Sequence, residues 1–318
     1  MPEVIHSTHL DANEGIVFAR ELEHIKAQSY DVQYPEYKAQ RLIPVSSEAG
    51  PGAESITYDQ YDSVGVMKII GNYADDLPRA DVKGKQFTSP VRSIGGSYGY
   101  NIQEIRAAVR AGKPLQARRA AAARQAYEQS INKMAWFARN DDGINGGLTG
   151  LLYSTNITKA KVQTGVGGFL WTQKTNDEMY LDMADAVNDI IDLTNGVEIP
   201  NTLLLPVAHY TMVATKRMAA GTDTTILSFF QRNFPGVSVE WVAELKNVNP
   251  IPSTKVATAT NVMVAYRRDP MKLTLEIPQM FEQFPAQERG LEFVIPTHAR
   301  CGGVIVYYPL SVSVIEGI

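Results

Sequence analysis

The chain has 318 residues, of which 44% are hydrophobic, 20% charged and 9% aromatic, the balance of a folded protein and not of a disordered one. Its net charge of -4 offers no global attraction to nucleic acid or an anionic membrane, and its single cysteine, Cys301, excludes an intrachain disulfide and fits a reducing compartment. No run of about 18 apolar residues exists to span a membrane, and the opening MPEVIHSTHLDANEG lacks the apolar centre of a signal peptide, so a soluble protein that stays where it is made is expected.

Residues 1 to about 40 form a polar leader in which Ile16, Val17, Phe18, Leu22 and Ile25 allow one short amphipathic helix over 14–28. The stretch YDVQYPEYKAQRLIPV, with Pro35 and Pro44, has no helical period and reads as an extended arm whose tyrosines must lie on something, most simply a neighbour. Residues 46–63 are rich in Gly, Ser and acids around a short β-prone stretch. Val64–Ile70 has strand composition, Asp75 to Pro78 marks a turn, and an extended run starts at Lys85. Gly95, Gly96 and Gly99 then interleave with Tyr98 and Tyr100. So few large apolar residues in so long a β-rich stretch suit an extended hairpin better than a separate core.

The strongest helical signal follows over 101–139. Asn101 is placed to cap it, with Glu104 three residues on. Gly112, Lys113 and Pro114 break the helix, and Pro114 can open the next. Residues 116–139 contain no Gly or Pro and few β-branched residues, so they predict a rod of roughly 36–40 Å. Ala120, Ala123, Tyr127, Ile131 and Met134 track one stripe against which something packs closely. A Gly/Asn-rich stop covers 140–156. A second amphipathic helix is expected over 175–194, with Met179, Met183, Ala186, Val187, Ile190 and Ile191 inward and Asn195-Gly196 closing it. A buried strand at 202–206, helices at 207–219 and 223–233, and strands at 237–242 and 261–266 continue an α/β pattern. Apolar or alternating runs at 291–296, 303–309 and 310–315 read as closing strands.

Reactive constellations are scarce. Gly165-Val-Gly-Gly168 lacks dinucleotide-loop spacing, Gly84-Lys85 is followed by Gln86 and not Ser or Thr, and there is no nucleophile elbow, CxxC or HExxH. His6 and His9 stand three apart in the leader, where a chance pairing outweighs a metal clip. His298 and Cys301 are also three apart, and a small buried thiol beside an ordinary histidine outweighs a nucleophilic pair that would need an orienting third group. The adjacent acids Asp75-Asp76 and Asp141-Asp142 suit turns, and Arg267-Arg268-Asp269 suits a charged strand end. No catalytic, cofactor-binding or metal-ligating residue is therefore assigned. The segment 102–139 carries Arg106, Arg110, Lys113, Arg118, Arg119, Arg124, Lys133 and Arg139 against Glu104 and Glu128. That excess could touch phosphates non-specifically, pair with the acidic 46–63 stretch of this or another subunit, or face water.

The phrases Ala74-Asp-Asp-Leu-Pro-Arg-Ala-Asp81, Val91-Arg-Ser-Ile-Gly-Gly-Ser-Tyr-Gly-Tyr-Asn-Ile-Gln-Glu-Ile-Arg106 and Gly147-Leu-Thr-Gly-Leu-Leu152, set in this order of elements, resemble the major capsid proteins of tailed bacteriophages with the HK-type (Hong Kong ninety-seven) fold. The resemblance implies an α+β capsid fold: an N-terminal arm over 1–45, an extended loop over 46–98 and a peripheral domain over 99–156 with a spine helix at 114–139. An axial domain over 157–281 and returning strands over 282–318 complete it. It implies a structural, non-enzymatic protein of the virion that self-assembles as hexamers and pentamers into an icosahedral head around double-stranded DNA, without cofactors and without a membrane, in the host bacterial cytoplasm. Portal and scaffolding proteins, and a decoration protein, are the partners implied. One relative joins subunits through a Lys–Asn isopeptide bond. Lys68 and Lys83 lie in the extended loop, but such a bond also needs a placed Asn and an acid, and none is expected. The alternatives are an encapsulin-like nanocompartment shell, which shares the fold, a minor virion component such as a vertex or decoration protein, and an α/β enzyme with an unrecognised site.

Overall fold

The computed structural model describes residues 35–69, 79–111, 115–140, 146–219, 221–249, 251 and 259–318. The chain divides into 1–36 and 37–318, and the architecture below is that of the second unit.

One helical turn, α1 (Ala39–Leu42), leads into β1 (Val45–Ser46), a two-stranded ribbon of β2 (Ser55–Val64) and β3 (Asp81–Pro90), and then β4 (Arg92–Asn101). Helix α2 (Ile102–Ala111) starts with the reciprocal cap that its sequence predicts. The Gln103 N–H donates to Asn101 Oδ1 at 3.0 Å, and the Asn101 N–H donates to Glu104 Oε2 at 3.2 Å. The long rod is α3 (Leu115–Phe137). Beyond the glycine-rich stop come β5 (Thr158–Lys161) and α4 (Asn176–Leu193), which has a full capping box between Thr175 and Glu178. Behind α4, Asn195 and Gly196 both take positive φ, and the Gly196 N–H donates to Ile191 O at 2.8 Å. Glycine's freedom there lets the helix stop where the sequence says it should. The chain continues as β6 (Thr202–Pro206), α5 (Val207–Thr215), α6 (Ile226–Asn233), β7 (Ser238–Val242) and β8 (Val262–Tyr266). It closes with β9 (Leu273–Glu276), β10 (Gln279–Gln283), β11 (Gln287–Arg289), β12 (Glu292–Cys301), β13 (Gly303–Val306) and β14 (Val312–Glu316).

A mixed five-stranded sheet, order β5-β14-β8-β6-β7, lies at the centre. Its inner strands β14, β8 and β6 are buried on both faces, so period-2 alternation sorts apolar residues into two cores instead of a wet and a dry side. Leu204, Val262, Val264, Tyr266, Val312 and Val314 join one core with Ile131 and Trp136 of α3. Leu203, Leu205, Met263, Ala265 and Ile315 join the other with α4, α5 and α6. A small sheet, β1-β9-β13, closes the first core, and a third sheet has β12 paired to β4 on one side and to β10 and β11 on the other.

Several expectations need correction. The arm was expected to extend through 45, but its last residues are built into the body. Ala39, Leu42 and Ile43 are buried in the first core. Tyr266 Oη donates to Leu42 O at 2.8 Å, and Lys38 Nζ donates to the Trp241 carbonyl on the edge strand β7 at 3.0 Å. Three apolar side chains and a lysine that satisfies an otherwise open sheet edge outweigh the extended composition. The expected strand at 64–70 ends at Val64, and Gly65–Ile69 form no strand. The helix expected over 207–219 stops at Thr215, where Lys216 turns extended. The α3 stripe is fully buried only at Ile131, Ala135 and Trp136 and half-buried at Ala120, Ala123 and Tyr127, so the rod is anchored by its C-terminal turns. The leader helix at 14–28 and the acids at 75–76 and 141–142 lie outside the described residues.

Gly150 sets how closely the chain passes that anchor. Its N–H donates to Ala138 O at 2.8 Å, and a Cβ there would sit 2.7 Å from Ala138 N and 2.8 Å from Met134 O. Both obstacles are backbone and cannot rotate away. Gly150→Ala is expected to cost about 1–3 kcal/mol, read as a lower denaturation midpoint of the subunit with an unchanged m-value.

Candidate assembly surface: the projecting hairpin and the basic helix

In β2 and β3 ten residues pair with ten, from Ser55 opposite Pro90 to Val64 opposite Asp81. At about 3.4 Å per residue the ribbon extends roughly 30 Å. Among the described residues it pairs with no third strand. Near its root Tyr58 stacks on Phe87, with ring centroids 5.3 Å apart. The hydroxyls of Thr57 and Thr88 lie 3.1 Å apart, and Gln86 Nε2 donates to Asp59 Oδ1 at 3.1 Å. Cross-strand pairs of this kind stabilise a ribbon that lacks a core beneath it.

The outer half exposes apolar groups. Tyr61 lies over Gly84, where an added Cβ would meet its ring at 3.0 Å, and it is 69% exposed. Beyond the strand, Met67 is 92% exposed and Ile69 fully so, with Val66 also bare. An exposed apolar end of this kind is a surface made to be covered. Lys83 stands exposed on β3.

The basic excess of α2 and α3 is partly answered within those helices. Arg119 Nη1 lies 3.0 Å from Glu104 Oε2, and this bond, with that of the Asn101 N–H, holds the Glu104 carboxyl below its usual range. Arg124 pairs with Glu128 one turn on at 3.2 Å, and the Arg139 guanidinium lies 4.0 Å over the Tyr153 ring. Arg106 and Arg110 are exposed on α2. Lys113 is outside the described residues.

The residues singled out for chemistry do not converge. Cys301 is fully buried in the first core, and burial pushes its thiol up to about 11. It accepts from the Gly303 N–H at 3.3 Å. An odd offset along β12 sends His298 to the opposite face, so the two form no nucleophilic pair. Arg267 follows β8 as expected of a strand end and lies 3.7 Å from Glu198 and 3.8 Å from Asp269. His6 and His9 lie outside the described residues. Among the described residues no group of three or more His, Cys, Asp or Glu is placed to hold a metal, and no helix is long and apolar enough to cross a membrane.

Two polar groups passed over in the sequence sit in the second core. Asp182 accepts from Lys174 Nζ at 2.6 and 2.8 Å and from Trp171 Nε1 at 2.7 Å. Burial raises the Asp182 carboxyl, and the Lys174 and Trp171 bonds oppose that rise. His209 is buried 5.4 Å from the Trp171 ring, and burial lowers its imidazole. The α4 pattern already marked position 182 as next to the apolar stripe. Nothing in the sequence pointed to its partner.

Comparison with known proteins agrees with this geometry. No curated protein matches the chain. Among solved structures it is similar to the capsid of the Myoviridae phage XM1, at 19% identity and a TM-score of 0.83 over 96% of this chain and 100% of that one. The capsid of a native GTA particle matches at 11% identity and 0.64 over 98% and 99%. The virus-like particle from Pyrococcus furiosus matches at 12% and 0.53 over 87% and 91%. Likenesses at such low identity establish the HK-type capsid fold. Residues 65–318 match the major capsid protein family, a span that includes the second core, all of the first except Ala39, Leu42 and Ile43, and strand β3 of the ribbon, and the chain therefore belongs to that family of structural capsid proteins.

Proposed function

We propose that this chain forms the icosahedral head of a tailed phage around double-stranded DNA, assembling as hexamers and pentamers in the host bacterial cytoplasm and carrying out no catalysis. Portal and scaffolding proteins, and a decoration protein, are its further partners in this reading. The observation that carries it is the ribbon with its bare apolar end at Val66, Met67 and Ile69. A surface of that kind is costly on a free subunit and useful only when a neighbour covers it. Many such modest contacts, engaged together, make a closed shell stable. The domain scheme follows: an arm before α1, an extended loop centred on β2 and β3, a peripheral domain around α3 and β12, and an axial domain built on the five-stranded sheet and α4.

A phage head is favoured over a nanocompartment because the chain and the XM1 phage capsid match over 96% and 100% of their lengths at a TM-score of 0.83. Electron microscopy of the chain expressed with a scaffolding protein tests the reading. Closed shells are expected, and particles from infected cells should hold nuclease-protected duplex DNA. Soluble monomers under every such condition, or shells filled with protein cargo, would refute it.

A further inference from the structure

The root of the ribbon is tied down by hydrogen bonds. The Val91 N–H donates to Glu54 O at 2.8 Å, Ser89 Oγ donates to Gly302 O at 3.4 Å, and Arg300 Nη1 donates to Pro51 O. All lie where the two strands emerge, so they act as a pivot. Beside the ribbon an open cleft of about 550 Å³, lined in part by Thr88, Asn140, Thr149 and Thr155, leaves room to swing. Further out along the strands, one aromatic contact among the described residues spans ribbon and body. The ring of Tyr58 meets that of Tyr307 edge-on, with centroids 4.9 Å apart, while its other side stacks on Phe87, which lies under Lys85 Nζ at 4.9 Å.

Tyr307 is itself held from below. Its hydroxyl lies 2.9 Å from Thr274 Oγ1 and 3.3 Å from Glu276 Oε1, and Thr274 Oγ1 donates to the same carboxylate oxygen at 2.6 Å. Thr274 and Glu276 are buried on β9, the strand between β1 and β13. The ring that receives Tyr58 is thus fixed to the rigid part of the molecule.

We propose that the edge-on contact of Tyr58 with Tyr307 is a latch that fixes the angle at which the ribbon leaves the body. The two tyrosines are then positioning residues for assembly, because a ribbon about 30 Å long converts a small change at Tyr58 into a large displacement of Met67. This rests on the reading of the ribbon as an assembly surface. A pivot with a distal aromatic clasp gives the ribbon one preferred angle, where the bonds at the root alone would allow a range.

The test uses the full-length chain as free subunits, with nitroxide labels on cysteines placed at the exposed Asp62 on the ribbon and Asn188 on α4. Cys301, fully buried, stays unlabelled. Pulsed electron paramagnetic resonance should give one narrow distance distribution for the parent. Tyr58→Ala is expected to broaden it at least twofold while the melting temperature of the body shifts by less than about 2 °C, and Tyr58→Phe, which keeps the ring, should restore the narrow distribution. Tyr307→Ala should broaden it equally from the other side of the contact. An unchanged distribution in both alanine variants would overturn the latch. Loss of the body's fold in both would overturn it too, since the rings would then support the core. Because the measurement is made on free subunits, its outcome is independent of whether particles form.

Discussion

Lys174→Met is expected to lower subunit stability by about 3–5 kcal/mol, the usual consequence of leaving one partner of a buried ion pair without the other. The Lys174 and Asp182 side chains are 1% and 5% exposed, so water cannot replace the lost ammonium. Trp171 Nε1 would remain the carboxylate's one strong donor. The loss should depend on pH. Burial already raises Asp182, and removing Lys174 takes away the largest opposing influence, so the folded-state pKa of the variant rises further above the unfolded value of about 3.9. A group raised in that sense destabilises the fold at every pH above its unfolded pKa, and the penalty fades as acid protonates the carboxyl. Urea unfolding of free subunits at pH 7.5 and pH 5 should show the larger deficit at pH 7.5. Lys174→Met with Asp182→Leu should recover most of it, because a well-packed apolar pair avoids the desolvation that the ion pair must overcome. An equal deficit at both pH values would mean that the lysine contributes packing and not charge.

What could be read from the sequence was whatever depends on residues near one another in the chain. The cap of α2 is local, set by side chains within three residues of one another, and forms between Asn101 and Glu104 as the sequence predicts. The same holds for the Asn195-Gly196 stop and for β6, whose apolar run is long enough to identify a buried strand. The segment 39–46 was misread because its structure is imposed from far away. Ala39 donates its N–H to Asn132, 93 positions on, and Tyr266 reaches Leu42 across 224. The strands β9 and β10 were missed because LTLE and QMFEQ are short, and β9 is fixed by pairing with β1 far back in the chain, Val45 opposite Leu275. The hairpin was legible as a hairpin from its poverty in large apolar residues. Its register was not, because Val64–Ile70 has the composition of a strand, whereas β2 ends at Val64 and Gly65–Ile69 lie beyond the paired residues. In the fold those residues reach the open end of the ribbon, and apolar character there serves a surface and not a core. The Tyr58–Tyr307 contact lay beyond sequence reasoning altogether, joining residues 249 positions apart.

Replacing residues 57–88 with a short Gly-Ser link is expected to leave a folded subunit that forms no closed shells. The cut falls outside the pivot, so the Val91–Glu54 bond and the Arg300–Pro51 contact survive. The only described contact between the excised part and the body's aromatic side chains is Tyr58 with Tyr307. Both cores lie in the remainder: no described residue of 57–88 belongs to either. Circular dichroism and the melting temperature should therefore stay close to those of the parent, a shift of a few degrees being allowed for the exposed Tyr307. Assembly should behave otherwise. The variant lacks the exposed apolar end at Val66, Met67 and Ile69, and with it the reach of a ribbon roughly 30 Å long. Because shell closure multiplies a weak contact over many copies, losing one contact per subunit acts as a threshold and not as a proportionate decrease. Met67→Ser with Ile69→Ser should give the same failure in milder form, with slower assembly and a higher critical concentration by light scattering. Normal shells from the excised variant would show that the ribbon is a passenger and that the contacts closing the shell lie on the body, with Arg106 and Arg110 on α2 the next surface to alter.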